Sequence, residues 1–519
     1  MVPTHVMSRR ALAERASPTV AALISAALAT AAVLAGWNGT DFAAHVFRAD
    51  LFRRYGFALW NGQWFGGHAT LDYSVLAPMA SALVGPVMVA GASGVVAAVL
   101  FDQVVGRAFG SGGRCGSLWF AVGTAVNVVV GRVPFALGLA FGMVMLWALQ
   151  RRHVVVAMAA AAATALTSPV AAVCVFVVVV AWTVPLRRWW IGAILGAAVG
   201  VPLLATAMVF PSGGVFPYEP WAFVTDVTIA AVIFFAAGPR PAVRVGALVF
   251  AVVATASFAV PTALGGNISR FSQFVAGPVL ACLLWPRRRA IVGALALPLL
   301  CWQWTPALQT MAAGAEPLQS SRAYYEPVVD FVLAQGPVPG RLEVLQTARH
   351  WEAAYVADSI PLPRGWERQL DLTYNHVFYD GTLNATTYER WLADNGVQYV
   401  AAPDARLDDS SIAERQLVEQ GLDYLIPLWQ NAHWRVWRFR DYTGLVDGPA
   451  TVVSQDAVGF VLRVDGPGEL RLRARPSPHW KLSGPGCIAS SGDGWIRLEG
   501  VQTGIVELSQ QWTGSPCPS

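Results

Sequence analysis

Charge is scarce in this chain. Asp, Glu, Lys and Arg make up 13% of its 519 residues, about half the share of an ordinary soluble protein. Lysine is nearly missing: Lys481 stands alone and every other basic residue is Arg. With abundant Ala, Val and Gly, that usage suggests a high-GC genome. Equally absent are a Walker phosphate loop, a dinucleotide GxGxxG unit, a GxSxG elbow, an HExxH helix and a CxxC pair. ATP-driven transport, zinc hydrolysis and α/β-hydrolase chemistry therefore have no support. What is present is apolar. Hydrophobic residues form 55% of the chain and the mean hydropathy is +0.47, which excludes a soluble globular enzyme, a disordered chain and a nucleic-acid binder. The charge is also divided. Residues 1–310 hold 19 Arg and 7 acids, a net of +12, whereas residues 311–519 hold 17 basic and 25 acidic residues, a net of −8.

Apolar runs fall at 19–37, 75–101, 115–130, 133–149, 154–168, 170–186, 189–210, 222–238, 245–261, 271–285 and 290–308. They predict a polytopic α-helical membrane bundle of about eleven spans. The run 75–101 carries Pro78, Gly85, Pro86 and Gly91 and reads as one kinked span or two pieces. With Arg9, Arg10 and Arg15 in the cytoplasm, alternate loops place Arg107/Arg114, Arg151/Arg152, Arg187/Arg188, Arg240/Arg244 and Arg287–Arg289 inside as well. That is the positive-inside pattern. The expected layout is a cytoplasmic segment 1–18, a membrane domain 19–310 with a first outer loop at 38–74, and everything after residue 310 outside a plasma membrane. The first span is read as retained rather than cleaved.

A few ionisable groups break the pattern and fall on the outer side: Arg48, Arg53, Arg54, Arg132 and Arg270, with most of Asp41, Asp50, Asp72, Asp102, Glu219 and Asp226. Charge at membrane level is costly, so one-sided clustering points to a polar site; solvated loop residues are the plainer alternative, and the better one for Asp50, Arg53 and Arg54. The first outer loop is the richest segment. It predicts a helix from Asp41 to about Tyr55 with Thr40 at its cap. At 100° per residue Asp41, His45 and Arg48 share one face, while Phe42, Val46 and Ala49 line an apolar one suited to the bilayer surface. The aromatics of the following Trp60-Asn61-Gly62-Gln63-Trp64-Phe65-Gly66-Gly67 suit a headgroup zone or a sugar platform. The chain then returns to the membrane through Asp72-Tyr73 and Pro78.

An acid just after span one, a surface helix, the Trp-Asn…Trp-Phe-Gly-Gly stretch and a Pro-containing return resemble the GT-C glycosyltransferases. These multi-span enzymes take sugar from a polyprenyl-phosphate carrier on the outer membrane face. The resemblance covers roughly residues 19–310. The tail, with His350-Trp351-Glu352 and Arg364-Gly365-Trp366-Glu367-Arg368, looks like that of actinobacterial membrane proteins of this type. The resemblance implies an inverting transfer of arabinose, mannose or a related sugar to a cell-envelope glycan or lipoglycan, with Asp41 as general base. Arg132, Arg270, His45 and Arg48 would then bind the donor phosphate. Plainer alternatives stay open: Asp41 as a first-turn acid, the arginines as headgroup anchors, His45 as a structural partner. Asp72 is a second functional acid or a cap of the second span. Glu219 and Asp226 are loop caps or groups for substrate or a divalent metal such as Mg or Mn; no dense ligand cluster demands a metal. The rival function is non-enzymatic: a lipid-linked-sugar translocator, or an envelope assembly scaffold with a sugar-binding outer domain.

Beyond residue 310 the pattern changes. Residues 311–446 alternate helix-like and strand-like runs, predicting a small α/β domain, with helices at Tyr325–Leu333, 388–395 and 411–420 and strands at 341–345, 398–402 and 433–438. Residues 447–519 read as all-β, a sandwich or jelly roll. His350, Trp351, Glu352, Trp366 and Glu367 are of the types that bind sugars; a packed stretch with buried Trp and paired Arg–Glu is the alternative. Cys174, Cys282 and Cys301 lie in apolar spans and Cys115 at a span end. Cys487 and Cys517 are the two cysteines of the outer part, where they form a disulfide or remain two thiols.

Overall fold

The computed structural model describes residues 9–211, 213–336 and 340–518, with side chains from residue 18 onward. The predicted segment 1–18, with Arg9, Arg10 and Arg15, lies outside those descriptions apart from a backbone helix that begins at Arg9. The chain divides into two compact units: Met1–Phe42, Tyr73–Val209 and Val215–Ala315 form the first, and Ala43–Asp72, Phe210–Gly214 and Glu316–Ser519 the second.

The first unit is a bundle of helices. Proline sets many of its boundaries. Pro134, Pro169, Pro220 and Pro241 stand in the first turns of the helices Val133–Gln150, Pro169–Thr183, Pro220–Ala236 and Pro241–Ala259, where a missing N–H is harmless. The run at 75–101 is two pieces, Leu76–Val84 and Pro86–Phe109. Gly85, at φ +87°, takes a conformation that other residues avoid, and Pro86 cannot continue the preceding helix. Among the described residues, five stretches are long and apolar enough to cross a membrane: Pro86–Val130, Val133–Gln150, Trp189–Val209, Pro241–Ala259 and Arg289–Ala312. Pro18–Leu34, Val154–Thr167, Pro169–Thr183 and Pro220–Ala236 are apolar but shorter. Close packing rests on small residues and a few polar contacts, as expected where lipid removes the hydrophobic drive between helices. Ala97, Ala98 and Ala121 are buried, Ser25 and Thr124 share a hydrogen bond of 2.8 Å, and Ser117 donates to Asp102 (2.6 Å).

The second unit has an α/β part and an all-β part. In the first, Arg341–Val344 pairs parallel with Val397–Pro403, and Trp434–Phe439 and Leu425–Gln430 extend the sheet antiparallel. Helices Arg322–Leu333, Ala385–Asp394 and Ile412–Glu419 accompany it; the second opens with a capping box from Asn384 and Thr387, which satisfies its free amides. The all-β part is two four-stranded antiparallel sheets. Alternate residues such as Leu470, Leu472, Ile496 and Leu498 of one meet Phe460, Leu462, Val506 and Leu508 of the other in one core, the arrangement of a sandwich. A disulfide joins Cys487 to Cys517 with Cα atoms 4.7 Å apart.

The first outer loop corrects the expectation of a bilayer-surface helix. Its helix runs Phe42–Tyr55, and Ala43, Ala44, Phe47, Ala49 and Leu51 are buried. Phe47 stacks on Trp64 at 4.7 Å. Trp60 enters the sandwich core beside Trp480 (5.5 Å), and Trp64 is fully buried, donating from Nε1 to the Ala353 carbonyl (2.9 Å). These aromatics therefore face protein and not headgroups: the apolar interior of the second unit removes their surface from water.

Candidate functional site

In the first unit, the site begins with two close backbone approaches. Gly39 N–H donates to the Val129 carbonyl (3.0 Å) and Asp41 N–H to the Val130 carbonyl (3.4 Å). A Cβ at Gly39 would lie 2.3 Å from the Val130 oxygen, and one at Gly131, φ +89°, would lie 2.7 Å from the Phe42 nitrogen. Only glycine fits either place. Segments 39–42 and 129–132 are thus held together, and Asp41 and Arg132 come with them. The Thr40 hydroxyl donates to the Asp41 carboxylate (3.3 Å).

Arg132 is half-buried just before the helix Val133–Gln150. Its Nη1 donates to Gln273 Oε1 (3.3 Å), and its Nε is buried with no hydrogen-bond partner. Burial and the neighbouring Arg270 lower its pKa to about 9, against the opposite pull of Asp41 and Tyr73. Arg270 lies over the Phe135 ring at 5.6 Å. Asp41, Tyr73 and Arg270 therefore each act on Arg132 electrostatically, so two guanidiniums and one carboxylate are gathered around it. A surplus of half-buried positive charge with a donor to spare is suited to an anion. Gln273 and Tyr73 were not singled out from the sequence; neither residue type carries a signal without its neighbours.

The other predicted residues lie elsewhere. Glu219 is exposed at the cap position of Pro220–Ala236, with no side-chain cap bond. Asp226 is not on a loop but inside that helix, fully buried. It accepts hydrogen bonds from Tyr218, Ser269 and Ser272.

In the second unit, Arg48 is buried, pairs with the buried Glu367 and lies between the Trp64 and Trp366 rings at 5.6 and 5.4 Å. His45 packs at 6.0 Å from Trp366. Of the predicted Asp41/His45/Arg48 face, His45 and Arg48 thus belong to this unit and Asp41 to the first. His68 Nε2 lies 3.6 Å from Glu367; burial and Arg48 push its pKa down to about 3. Burial lifts Glu367 to about 7, opposed by Arg48 and assisted by Asp72. His350 is buried between Glu352 (3.4 Å) and Asp408 (3.5 Å). Burial opposes its protonation, but those two carboxylates prevail and raise it to about 9. Trp351 is buried and stacked on Tyr355 at 5.1 Å. His350, Trp351 and Glu352 therefore have no open face for a sugar: their surfaces are taken up by interior packing and ion pairing.

The paired Arg–Glu alternative is also met at Arg364, with partners that the sequence did not name. Arg364, fully buried, binds Asp371 (2.7 Å) and approaches Glu414 (3.5 Å) and Glu343 (3.9 Å). Glu343 is raised by burial and by Glu414. Among the described residues, the one grouping of three metal-type ligands is Cys487, Glu499 and Cys517. Its two sulfurs are bonded to each other, so it offers no thiolates.

Two solved structures of arabinofuranosyltransferase AftD from Mycobacteria, one of them a mutant, are similar to this chain at 16% and 15% identity, each with a TM-score of 0.47. The matches cover 99% and 95% of this chain but 42% and 40% of those proteins, so it spans about two fifths of their length. Similarity at that level decides neither fold nor activity. No protein-family model matches, and no curated protein matches.

Proposed function

We propose that this chain is an integral membrane glycosyltransferase of the GT-C kind, crossing a plasma membrane about eleven times, with its N-terminus cytoplasmic and residues 311–519 outside. The reading rests on the sequence resemblance and on one structural observation: backbone hydrogen bonds hold segment 39–42 against 129–132, which brings Asp41 to Arg132, on which Arg270 also acts, although the three residues are far apart in the chain. The donor is a polyprenyl-phosphate sugar of the arabinose or mannose class and the acceptor a hydroxyl of a cell-envelope glycan. The Asp41 carboxylate takes the proton of that hydroxyl as its oxygen attacks the anomeric carbon. The bond from that carbon to the phosphate oxygen breaks, the electron pair leaves with the lipid phosphate, and the anomeric configuration inverts. Arg132 and Arg270 meet the phosphate's charge, which grows as the bond breaks.

Asp41→Asn tests this. Sugar transfer by membranes containing the variant at wild-type level falls by about 10²- to 10⁴-fold. Unchanged transfer would remove Asp41 from the mechanism.

A further inference from the structure

Asp226 is a costly residue in its place. It is fully buried within the apolar helix Pro220–Ala236, where a carboxylate persists only if its oxygens are well bonded. Three hydroxyls do this. Oδ2 accepts from Tyr218 (2.5 Å) and from Ser269 (2.5 Å), and Oδ1 accepts from Ser272. Trp302 Nε1 in turn donates to the Ser272 hydroxyl (2.8 Å). Ser269 and Ser272 lie in the first turn of the helix Ser269–Leu284, on either side of Arg270 in sequence. At 100° per residue, Ser272, Ser269, Gln273 and Arg270 follow one another around that helix within a single arc. One side of the arc is tied to Asp226. On the other side Gln273 holds Arg132, and Arg270 acts on Arg132 electrostatically.

We propose that Asp226 is a positioning residue: by fixing the first turn of Ser269–Leu284 it aims Arg270 and Gln273 so that the Arg132/Arg270 pair forms a rigid seat for a lipid phosphate. This rests on the function proposed above. It assigns Asp226 neither to substrate contact nor to a metal, and its effect passes through Arg270. No alternative residue supplies two acceptors of the same reach at that point: Asn offers one oxygen, and its NH2 would confront hydroxyls that now donate.

The test uses the full chain in nanodiscs, with polyprenyl phosphate as the binding probe and donor kinetics as the second measurement. Asp226→Asn weakens binding about tenfold and raises the donor KM about as much, with kcat within about twofold. Arg270→Ala weakens binding further, and the Asp226→Asn/Arg270→Ala double variant binds no worse than Arg270→Ala alone, because the two residues act as one unit. Should Asp226→Asn not fold, Ser269→Ala removes one donor and shows the same lack of additivity. Wild-type binding by Asp226→Asn or, where that does not fold, by Ser269→Ala, or full additivity with Arg270→Ala, overturns the proposal while leaving the seat itself intact. Wild-type binding by both Arg132→Ala and Arg270→Ala overturns the seat, and the proposed donor site with it.

Discussion

Both units hold arginines beside carboxylates and aromatic rings, yet they use them in opposite ways. In the second unit Arg48 is matched by Glu367 and Arg364 by Asp371 with two further glutamates nearby, while the buried Arg341 donates to the Asn395 and Arg473 carbonyls and has no carboxylate beside it. The matched clusters serve the fold, because their charges are already answered. In the first unit Arg132 feels the carboxylate of Asp41 and the like charge of Arg270, and its Nε has no partner. The difference teaches where to look for a ligand in a chain rich in both patterns: at an incompletely neutralised cluster with a carboxylate beside it, not at a matched one.

The sharpest way to break this comparison is to remove one arginine from each unit. Arg364→Met leaves Asp371, Glu343 and Glu414 buried without their cation, and destabilises the second unit by about 3–5 kcal/mol. Chemical unfolding followed by tryptophan fluorescence reads this. Arg132→Met removes a charge that has no full complement, so the melting temperature of the detergent-solubilised protein moves little while sugar transfer is lost. Equal stability losses in the two variants would mean that both clusters are structural.

Titration sharpens the same contrast. His350 is raised to about 9 in the folded chain, from about 6.5 unfolded. Its folded pKa is the higher one, so its contribution is fully present below about pH 6.5 and is lost as pH rises through about 9. Glu343, likewise raised, contributes stability that fades as pH climbs above the ordinary carboxylate range, in the same direction. The second unit is therefore weakened by alkali. For His350 the loss is about 3 kcal/mol at most, and His350→Gln flattens the stability profile between pH 6.5 and 9. An unchanged profile in that variant would show that the histidine is not charged in the fold.

Much of this architecture could be read from the chain. Helix limits follow from apolar runs bounded by Arg, Gly and Pro, and the break at Gly85-Pro86 is visible in the residues themselves. The predicted helix at Tyr325–Leu333 is found as Arg322–Leu333, and the strand predicted at 398–402 as Val397–Pro403. The destination of residues 43–72 could not be read. Phe47, Trp60 and Trp64 bury equally well in lipid or in protein, and nothing local distinguishes the two. Pairings were also hidden. Arg48 meets Glu367 across 319 positions, and Asp226 meets Ser269 and Ser272 across 43 and 46. A sequence shows that a buried acid is costly but not what answers it. Asp41, Arg132 and Arg270 stand out in the sequence because charge at a span end is rare; Gln273 and Tyr73 do not.

The smallest expected effect concerns metal. Where a phosphate leaves, either a divalent cation or fixed guanidiniums can take up its charge. At Arg132 two guanidiniums stand against one carboxylate, so positive charge is already in place, and a further dication beside Arg132 and Arg270 would be repelled by both. In the second unit, Glu499 stands with two cysteines that are joined to each other. Treating washed membranes with EDTA is therefore expected to change sugar transfer by less than about twofold, with no gain from added Mg or Mn. A loss above about tenfold that either ion restores would assign the phosphate charge to a metal. It would reduce Arg132 and Arg270 to anchors for lipid headgroups, and the contrast between the two units would then rest on Asp41 alone.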